Sequence, residues 1–221
     1  RFAERNEDTE TPEGRRRNPV WAVGGDEGVF ASQWAPQAIN LAGAHAISTG
    51  IGVRVAILDT GIDLDHPVLF ARLARRSGGA LLGRDFVDDD ADPSEGGARD
   101  DAGYGHGTHV AGLVALAAPS ARLMPVRVLD GSGRGTGCVL AEALGWAVDP
   151  DSNPASDDGA HVINLSLSTL QRTALLKTVS ALAACTFADD DDDFADPGFD
   201  DDRARCALRH AAVVTAAAGN G

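Results

Sequence analysis

Apolar runs alternate with runs of small, helix-forming residues along most of this chain. The apolar runs cover 52–58, 121–129, 161–168 and 211–217, and the helical runs between them cover 106–118, 137–148 and 171–184. Strands that alternate with helices are joined by right-handed crossovers, so the strands lie parallel in one sheet with helices on both faces. The pattern predicts an α/β fold of three layers, α/β/α, with a mostly parallel central sheet.

The chain of 221 residues, 43% of them hydrophobic, is long enough for one sizeable core and therefore predicts one domain. Residues 1–28 are polar and charged, which indicates a weakly ordered N-terminal arm. The domain spans 29–221, and its first segment, 29–48, has the composition of a short packed helix. An acidic insert lies at 185–206, where nine aspartates fall between Asp189 and Asp202.

The charge of the chain excludes some partners. The formal net charge is -14, and the one basic cluster, Arg15 to Arg17, is small. Nucleic-acid phosphates are bound by clustered Lys and Arg, so a nucleic-acid partner is disfavoured. No apolar run reaches the roughly 18 residues of a membrane span, so we expect none.

Polar residues follow several of the predicted strands. Asp59 ends the first, Ser166 lies in the third, and Asn220 follows the last, whereas His106 opens a helix. Chemistry in parallel sheets gathers at the carboxyl ends of strands. Asp59 follows an apolar run, so its carboxylate needs a strong hydrogen-bond partner unless it only caps its own turn.

A carboxylate that orients an imidazole is the base half of a Ser-His-Asp hydrolase, so the pairing of Asp59 with His106 indicates a catalytic site. Two alternatives stay open for the histidine. It can be structural, or it can form a metal pair with His109, although the His-Glu-x-x-His pattern of zinc proteases is absent from the sequence.

Four segments together resemble the signatures of subtilisin-like serine proteases (subtilases, peptidase S8 family). They are VAILDTGIDLDHP, GHGTHVAG, VINLSLS and AAAGNG, in the family's order. The resemblance runs from about residue 30 to 221 and covers the N-terminal part of the family's catalytic domain. It implies a subtilisin-like fold, incomplete at the C-terminus, in a serine endopeptidase that hydrolyses peptide bonds.

The resemblance also implies roles for individual residues. Asp59 would hold the tautomer of His106, the general base, and Asn220 would donate its side-chain amide to the oxyanion. A polypeptide substrate would lie as an extended strand between the loop of Ser132 and Gly133 and the segment from Ser166. Ala217 and Gly219 would form a wall of the specificity pocket.

The family's nucleophile motif, Gly-Thr-Ser followed by small residues, has no match in this sequence. We therefore expect that the chain is truncated before the nucleophilic serine and is inactive alone. The alternatives are a noncatalytic protease-like binding module and an acidic calcium-binding protein on an unrelated α/β fold.

Calcium is the expected cofactor. Asp85, Asp90 and Asp92 resemble a calcium loop that some subtilases carry before the catalytic histidine, and hard oxygen ligands suit Ca²⁺. A solvated acidic loop is the competing interpretation, for this segment and for the insert. Cys185 and Cys206 flank the insert and are either bridged or two thiols, whereas Cys138 is expected in the core.

The same resemblance implies a secreted protein that is made with an inhibitory propeptide. The arm 1–28 would then be a remnant of that propeptide, and Arg15 to Arg17 would mark the processing junction. A solvated basic tail is the alternative for the three arginines.

Overall fold

The computed structural model describes residues 8–11, 34–153, 155–169, 174–185 and 211–217. The strands are β1 (Asp8–Glu10), β2 (Arg54–Asp59), β3 (Arg84–Asp85), β4 (Arg122–Arg127), β5 (Arg134–Thr136), β6 (Val162–Leu165), β7 (Ser168–Thr169) and β8 (Val213–Ala216). The α-helices are α1 (Trp34–Ala38), α2 (Leu41–His45), α3 (His106–Ala117), α4 (Gly137–Val148) and α5 (Ala174–Ala183).

Five strands form the central sheet in the order β3-β4-β2-β6-β8, and every neighbouring pair is parallel. The middle strand β2 is buried at five of its six positions, because parallel strands covered on both faces have nearly continuous apolar sequences. Val55 of β2 pairs with Leu123 on one side and with Val162 on the other.

The side chains of β2 point alternately into two separate cores. Val55 and Ile57 pack with Val110 and Ala111 of α3 on one face of the sheet. Ala56 and Leu58 belong to the core on the other face, which includes Leu140, Ala143 and Leu144 of α4 and Ala183 of α5. The predicted three-layer α/β/α fold is confirmed.

A second sheet of three strands has the order β5-β1-β7, with β1 antiparallel to both neighbours. None of these short strands was predicted as a separate element, and the run 161–168 splits into β6 and part of β7. The arm was expected to be weakly ordered, but residues 8–10 pair with β5, and Thr9 and Glu10 also pair with β7, because both strands offer backbone hydrogen-bonding groups.

The cysteines differ in part from expectation. Cys138 is exposed on α4, and its predicted place in the core is wrong, because the opposite face of α4 packs on the sheet. Cys185 takes part in a disulfide, and Cys206 lies outside the described residues with most of the insert. Among the described helices, none is long and apolar enough to cross a membrane.

Candidate active site

Asp59 and His106 meet at the carboxyl edge of the central sheet. Asp59 is the last residue of β2 and His106 the first residue of α3, and their side chains are 1% and 7% exposed. The Nδ1 atom of His106 lies 2.6 Å from Oδ1 of Asp59. The carboxylate that the sequence predicts to be buried therefore has its strong partner, and the partner is the predicted imidazole.

This contact determines which nitrogen of the ring carries the proton. A carboxylate can only accept a hydrogen bond, so Nδ1 carries the proton that Asp59 accepts. The lone pair of the neutral ring is then on Nε2. A buried carboxylate also stabilises the ring when it becomes an imidazolium, as general-base catalysis requires.

Two glycines let the strand end and the helix start approach each other. Gly61 has a φ of 105°, a conformation that favours glycine. A Cβ atom on Gly107 would overlap the carbonyl oxygen of Gly61. The small residues of the two motifs thus permit the short distance between Asp59 and His106.

The loop and strand segments predicted to bind substrate lie on either side of β1. Thr9 pairs with Gly135 of β5 and with Thr169 of β7, and the backbone N–H of Thr11 donates to the carbonyl oxygen of Gly133 at 2.9 Å. The side chains of Thr9 and Thr11 are buried. An extended segment of this chain therefore lies next to the loop of Ser132 and Gly133.

The structure describes some, but not all, of the other residues predicted to bind substrate. Ser132 is exposed in its loop, and Ser166 is half-buried between β6 and β7, where Asn164 donates its side-chain amide to the hydroxyl. Ala217 is exposed, and its N–H donates to the carbonyl oxygen of Leu165. Gly219 and Asn220 lie outside the described residues.

Asp85 makes hydrogen bonds with both of its carboxylate oxygens. Its Oδ1 accepts from the N–H groups of Val87 and Asp88, and Nη1 of Arg127 lies 2.5 Å from its Oδ2. The same guanidinium contacts the carboxylate of Asp88 at 2.6 Å. The arginine therefore supplies the positive charge next to Asp85, and Asp85 as it stands does not fit a calcium ligand.

The other two predicted calcium ligands bind nearby groups of the loop. Oδ1 of Asp90 accepts from the N–H of Asp92, and Oδ1 of Asp92 accepts from Ser94. Within the described ranges, Asp149, Asp151 and Asp158 form the group of three carboxylates that lie close enough together to share one ion. Calcium binding at Asp85, Asp90 and Asp92 stays a prediction, and it requires that Arg127 release Asp85.

Sequence reasoning missed Glu95, whose carboxylate lies next to the Asp59–His106 pair. Its oxygens accept hydrogen bonds from the hydroxyls of Thr60 and Thr108. Burial, more than any other cause, raises the pKa of Glu95 above 4.5, and the negative charge of Asp59 raises it further. The residue lies in an acid-rich stretch, where no local pattern separates a buried carboxylate from a solvated one.

Fold and site together define a class of parallel α/β domains that carry a buried carboxylate–imidazole pair at the carboxyl edge of the sheet. Within that class, the chain belongs to the subtilase family, whose sequence model matches residues 50–221. The match includes Asp59, His106 and Asn220.

Relatives of known name agree with this assignment. Thermitase of Thermoactinomyces vulgaris is 36% identical over 159 residues, which cover 67% of this chain and 49% of thermitase. Subtilisin BL of Lederbergia lenta is 39% identical over 65% of this chain and 48% of its own length. Halolysin of Haloferax mediterranei is 36% identical over a segment that covers 62% of this chain and 25% of halolysin. The chain thus spans about half or less of each of these relatives.

Proposed function

We propose that this chain forms part of the catalytic domain of a serine endopeptidase, in which His106 is the general base and acid and Asp59 orients its ring. The observation that carries the proposal is the buried contact of 2.6 Å between Nδ1 of His106 and Oδ1 of Asp59. His106 accepts the proton of a serine hydroxyl on Nε2 and then delivers it to the leaving amine. Membership of the subtilase family supports this assignment.

The remaining groups of the mechanism are proposed from the family's motifs. Asn220 donates its side-chain amide to the oxyanion, and a serine outside these 221 residues supplies the nucleophile. The match of the chain to only 49% of thermitase is consistent with a nucleophile elsewhere in the protein. A noncatalytic binding module is the second candidate, because these residues contain no match to the nucleophile motif.

We propose that polypeptide substrate binds as a strand in the place of β1. The pairing of β1 with β5 and β7 supports this, since both neighbours offer backbone groups to an extended chain. Ser132, Gly133 and Ser166 line this groove, and Ala217 and Gly219 form the pocket wall. The segment 8–11 then acts as an inhibitory propeptide, because it competes with substrate for the same backbone groups.

The proposed cofactor is calcium. We propose Ca²⁺ as a structural ion at Asp90 and Asp92, with Asp85 joining them once Arg127 moves away. Calorimetric titration of wild type and of Asp92→Asn with Ca²⁺ tests this, and equal heats in both proteins contradict it.

We also propose that the protein is secreted. A relative named minor extracellular protease Vpr, from Bacillus subtilis, is 42% identical over 127 residues and supports secretion. The disulfide at Cys185 fits an oxidising compartment.

The function is tested on the full-length protein with a peptide substrate. Asp59→Asn is expected to lower kcat by about 10⁴-fold, the effect seen in an established Ser-His-Asp enzyme. His106→Ala is expected to lower it by about 10⁶-fold, because the general base itself is removed. Asp65→Asn and His109→Ala are the matched controls, since both side chains are exposed and His109 lies on the same helix as His106. Full activity in His106→Ala rejects the mechanism.

A fluorophosphonate probe separates the two candidate functions. An endopeptidase is labelled on one serine, and the labelling depends on His106, because the imidazole activates the hydroxyl. A binding module takes up no label, although it folds and binds peptide.

A further inference from the structure

Glu95 lies between the turn that follows β2 and the first turn of α3. Its backbone is held against the β2 turn, where the N–H of Ile62 donates to the carbonyl of Pro93 and the N–H of Glu95 donates to the carbonyl of Ile62. These bonds measure 3.1 Å and 3.2 Å. These two hydrogen bonds fix the backbone from which the Glu95 side chain extends, next to the Asp59–His106 pair.

Each oxygen of the Glu95 carboxylate accepts a hydrogen bond from a different segment. Thr60, the residue after Asp59, donates its hydroxyl to Oε1 at 2.5 Å. Thr108, in the first turn of α3, donates its hydroxyl to Oε2 at 2.7 Å and its N–H to the same oxygen at 3.3 Å. The carboxylate therefore links the strand end to the helix start.

The direction of these bonds determines what the two hydroxyls do next. A hydroxyl has one proton, and both threonines donate theirs to Glu95, so their oxygens are left to accept. The oxygen of Thr60 accepts the N–H of Gly107 at 3.0 Å. The oxygen of Thr108 accepts the N–H of Asp63 at 2.8 Å. Each threonine thus binds the backbone of the opposite segment, and both bonds depend on one carboxylate.

The burial of Glu95 shows that this arrangement has a cost. Burial disfavours the charged form and is the main cause of its raised pKa, while the hydrogen bonds from Thr60, Thr108 and the backbone of Gly105 oppose the shift. The Glu95 carboxylate is thus partly removed from water, and its hydrogen bonds offset part of the cost of that desolvation.

We propose that Glu95 is a positioning residue, which holds the turn after β2 and the start of α3 at the spacing that the Asp59–His106 pair requires. The inference rests on the proposed endopeptidase function. Glu95 does not touch the reacting atoms. It fixes the hydroxyls of Thr60 and Thr108. Those hydroxyls in turn bind the backbone N–H groups of Gly107 and Asp63, which lie near His106 and Asp59.

The first test is Glu95→Gln in the full-length protein. Glutamine keeps the size of the side chain but replaces one acceptor oxygen with an NH₂ donor, so one hydroxyl loses its acceptor. We expect kcat to fall by about tenfold to hundredfold, as for a small misplacement of catalytic groups, with KM changed by less than about twofold. Glu142→Gln, on the exposed face of α4, is the matched control and retains wild-type kcat.

A second pair of variants works even if Glu95→Gln folds poorly. Thr60→Val removes the hydroxyl at nearly constant shape, whereas Thr60→Ser keeps it. Thr60→Val is expected to lower kcat as Glu95→Gln does, and Thr60→Ser is expected to restore it to within about threefold of wild type. Wild-type kcat in both Glu95→Gln and Thr60→Val overturns the proposal.

A spectroscopic readout separates this proposal from the proposed function. We expect the proton between Nδ1 of His106 and Asp59 to give a low-field NMR resonance in the wild type, because the two atoms are only 2.6 Å apart. We expect it to shift and exchange faster in Glu95→Gln and to be unchanged in Glu142→Gln. An unchanged resonance in Glu95→Gln rejects positioning. If His106→Ala keeps full activity, the endopeptidase mechanism fails, and the resonance still decides the role of Glu95.

Discussion

The backbone N–H of Thr11 donates a hydrogen bond to the carbonyl oxygen of Gly133 over 2.9 Å, which attaches the N-terminal strand to the loop that we propose as a substrate-binding segment. If substrate takes the place of β1, the same carbonyl accepts an N–H from either the arm or the substrate. A substitution in the arm should therefore change how well the arm competes with substrate for this carbonyl, and it leaves Asp59 and His106 unchanged.

Thr11→Pro removes this donor, because proline has no backbone N–H. One hydrogen bond contributes about 1 kcal/mol, so docking of the arm is expected to weaken roughly fivefold. In the full-length protein, peptide hydrolysis at low substrate concentration should rise by a similar factor. Thr11→Ser keeps the N–H and serves as the control, and equal rates in the two variants contradict inhibition by β1.

Asp85→Asn tests the buried ion pair with Arg127. The side chains of Asp85 and Arg127 are 2% and 10% exposed, so the variant leaves a largely buried guanidinium paired with one carboxylate, that of the exposed Asp88. The free energy of unfolding should fall by about 3 kcal/mol, measured by urea denaturation.

Asp89→Asn is the matched control for Asp85→Asn. Asp89 pairs with Arg84 on the surface, where its side chain is 81% exposed, and its loss should cost less than about 1 kcal/mol. Equal destabilisation by the two variants would show that burial of the Asp85 pair is unimportant.

The raised pKa of Glu95 predicts a dependence of stability on pH. Because the native pKa of Glu95 is the higher one, there is a pH range in which the native protein keeps a proton on Glu95 that the unfolded chain has released. The stabilisation by this proton is complete below the unfolded pKa and is lost as the pH rises through the native pKa. Urea unfolding from about pH 4 to about pH 8 should show wild type losing stability relative to Glu95→Gln.

The outcome that contradicts this pH dependence is a constant difference between wild type and Glu95→Gln. Glu142→Gln provides the baseline, since that side chain is exposed on α4. The proton is assigned to Glu95 if the difference in unfolding free energy from wild type is independent of pH for Glu142→Gln and changes with pH for Glu95→Gln.

Gly107→Ala and Gly112→Ala form a matched pair on α3. A methyl group on Gly107 overlaps the carbonyl oxygen of Gly61 and moves the helix start away from Asp59, so stability should fall by about 1–3 kcal/mol together with activity. At Gly112 nothing lies within 4 Å of the added methyl group. There alanine should stabilise by roughly 0.5–1 kcal/mol, and thermal unfolding of both variants measures the contrast.

The regular elements of the domain are the part that the sequence predicted best. The run 137–148 forms α4 with the predicted ends, and the run 52–58 contains most of β2. These elements follow from the spacing of apolar residues within one segment, which is a local property. The short strands β1, β5 and β7 were missed, because each has only two or three residues and forms only when its partners are present.

The sequence by itself determined the α/β layers, the family and the two residues of the buried carboxylate–imidazole pair, because local periodicity and four short motifs carry that information. Only the tertiary structure decided which charged groups are buried and what they touch. Thr60 and Glu95 are 35 residues apart, and Asp85 and Arg127 are 42 apart. Burial depends on the segments that pack around a residue, so the same acid-rich stretch contains both solvated aspartates and the half-buried Glu95.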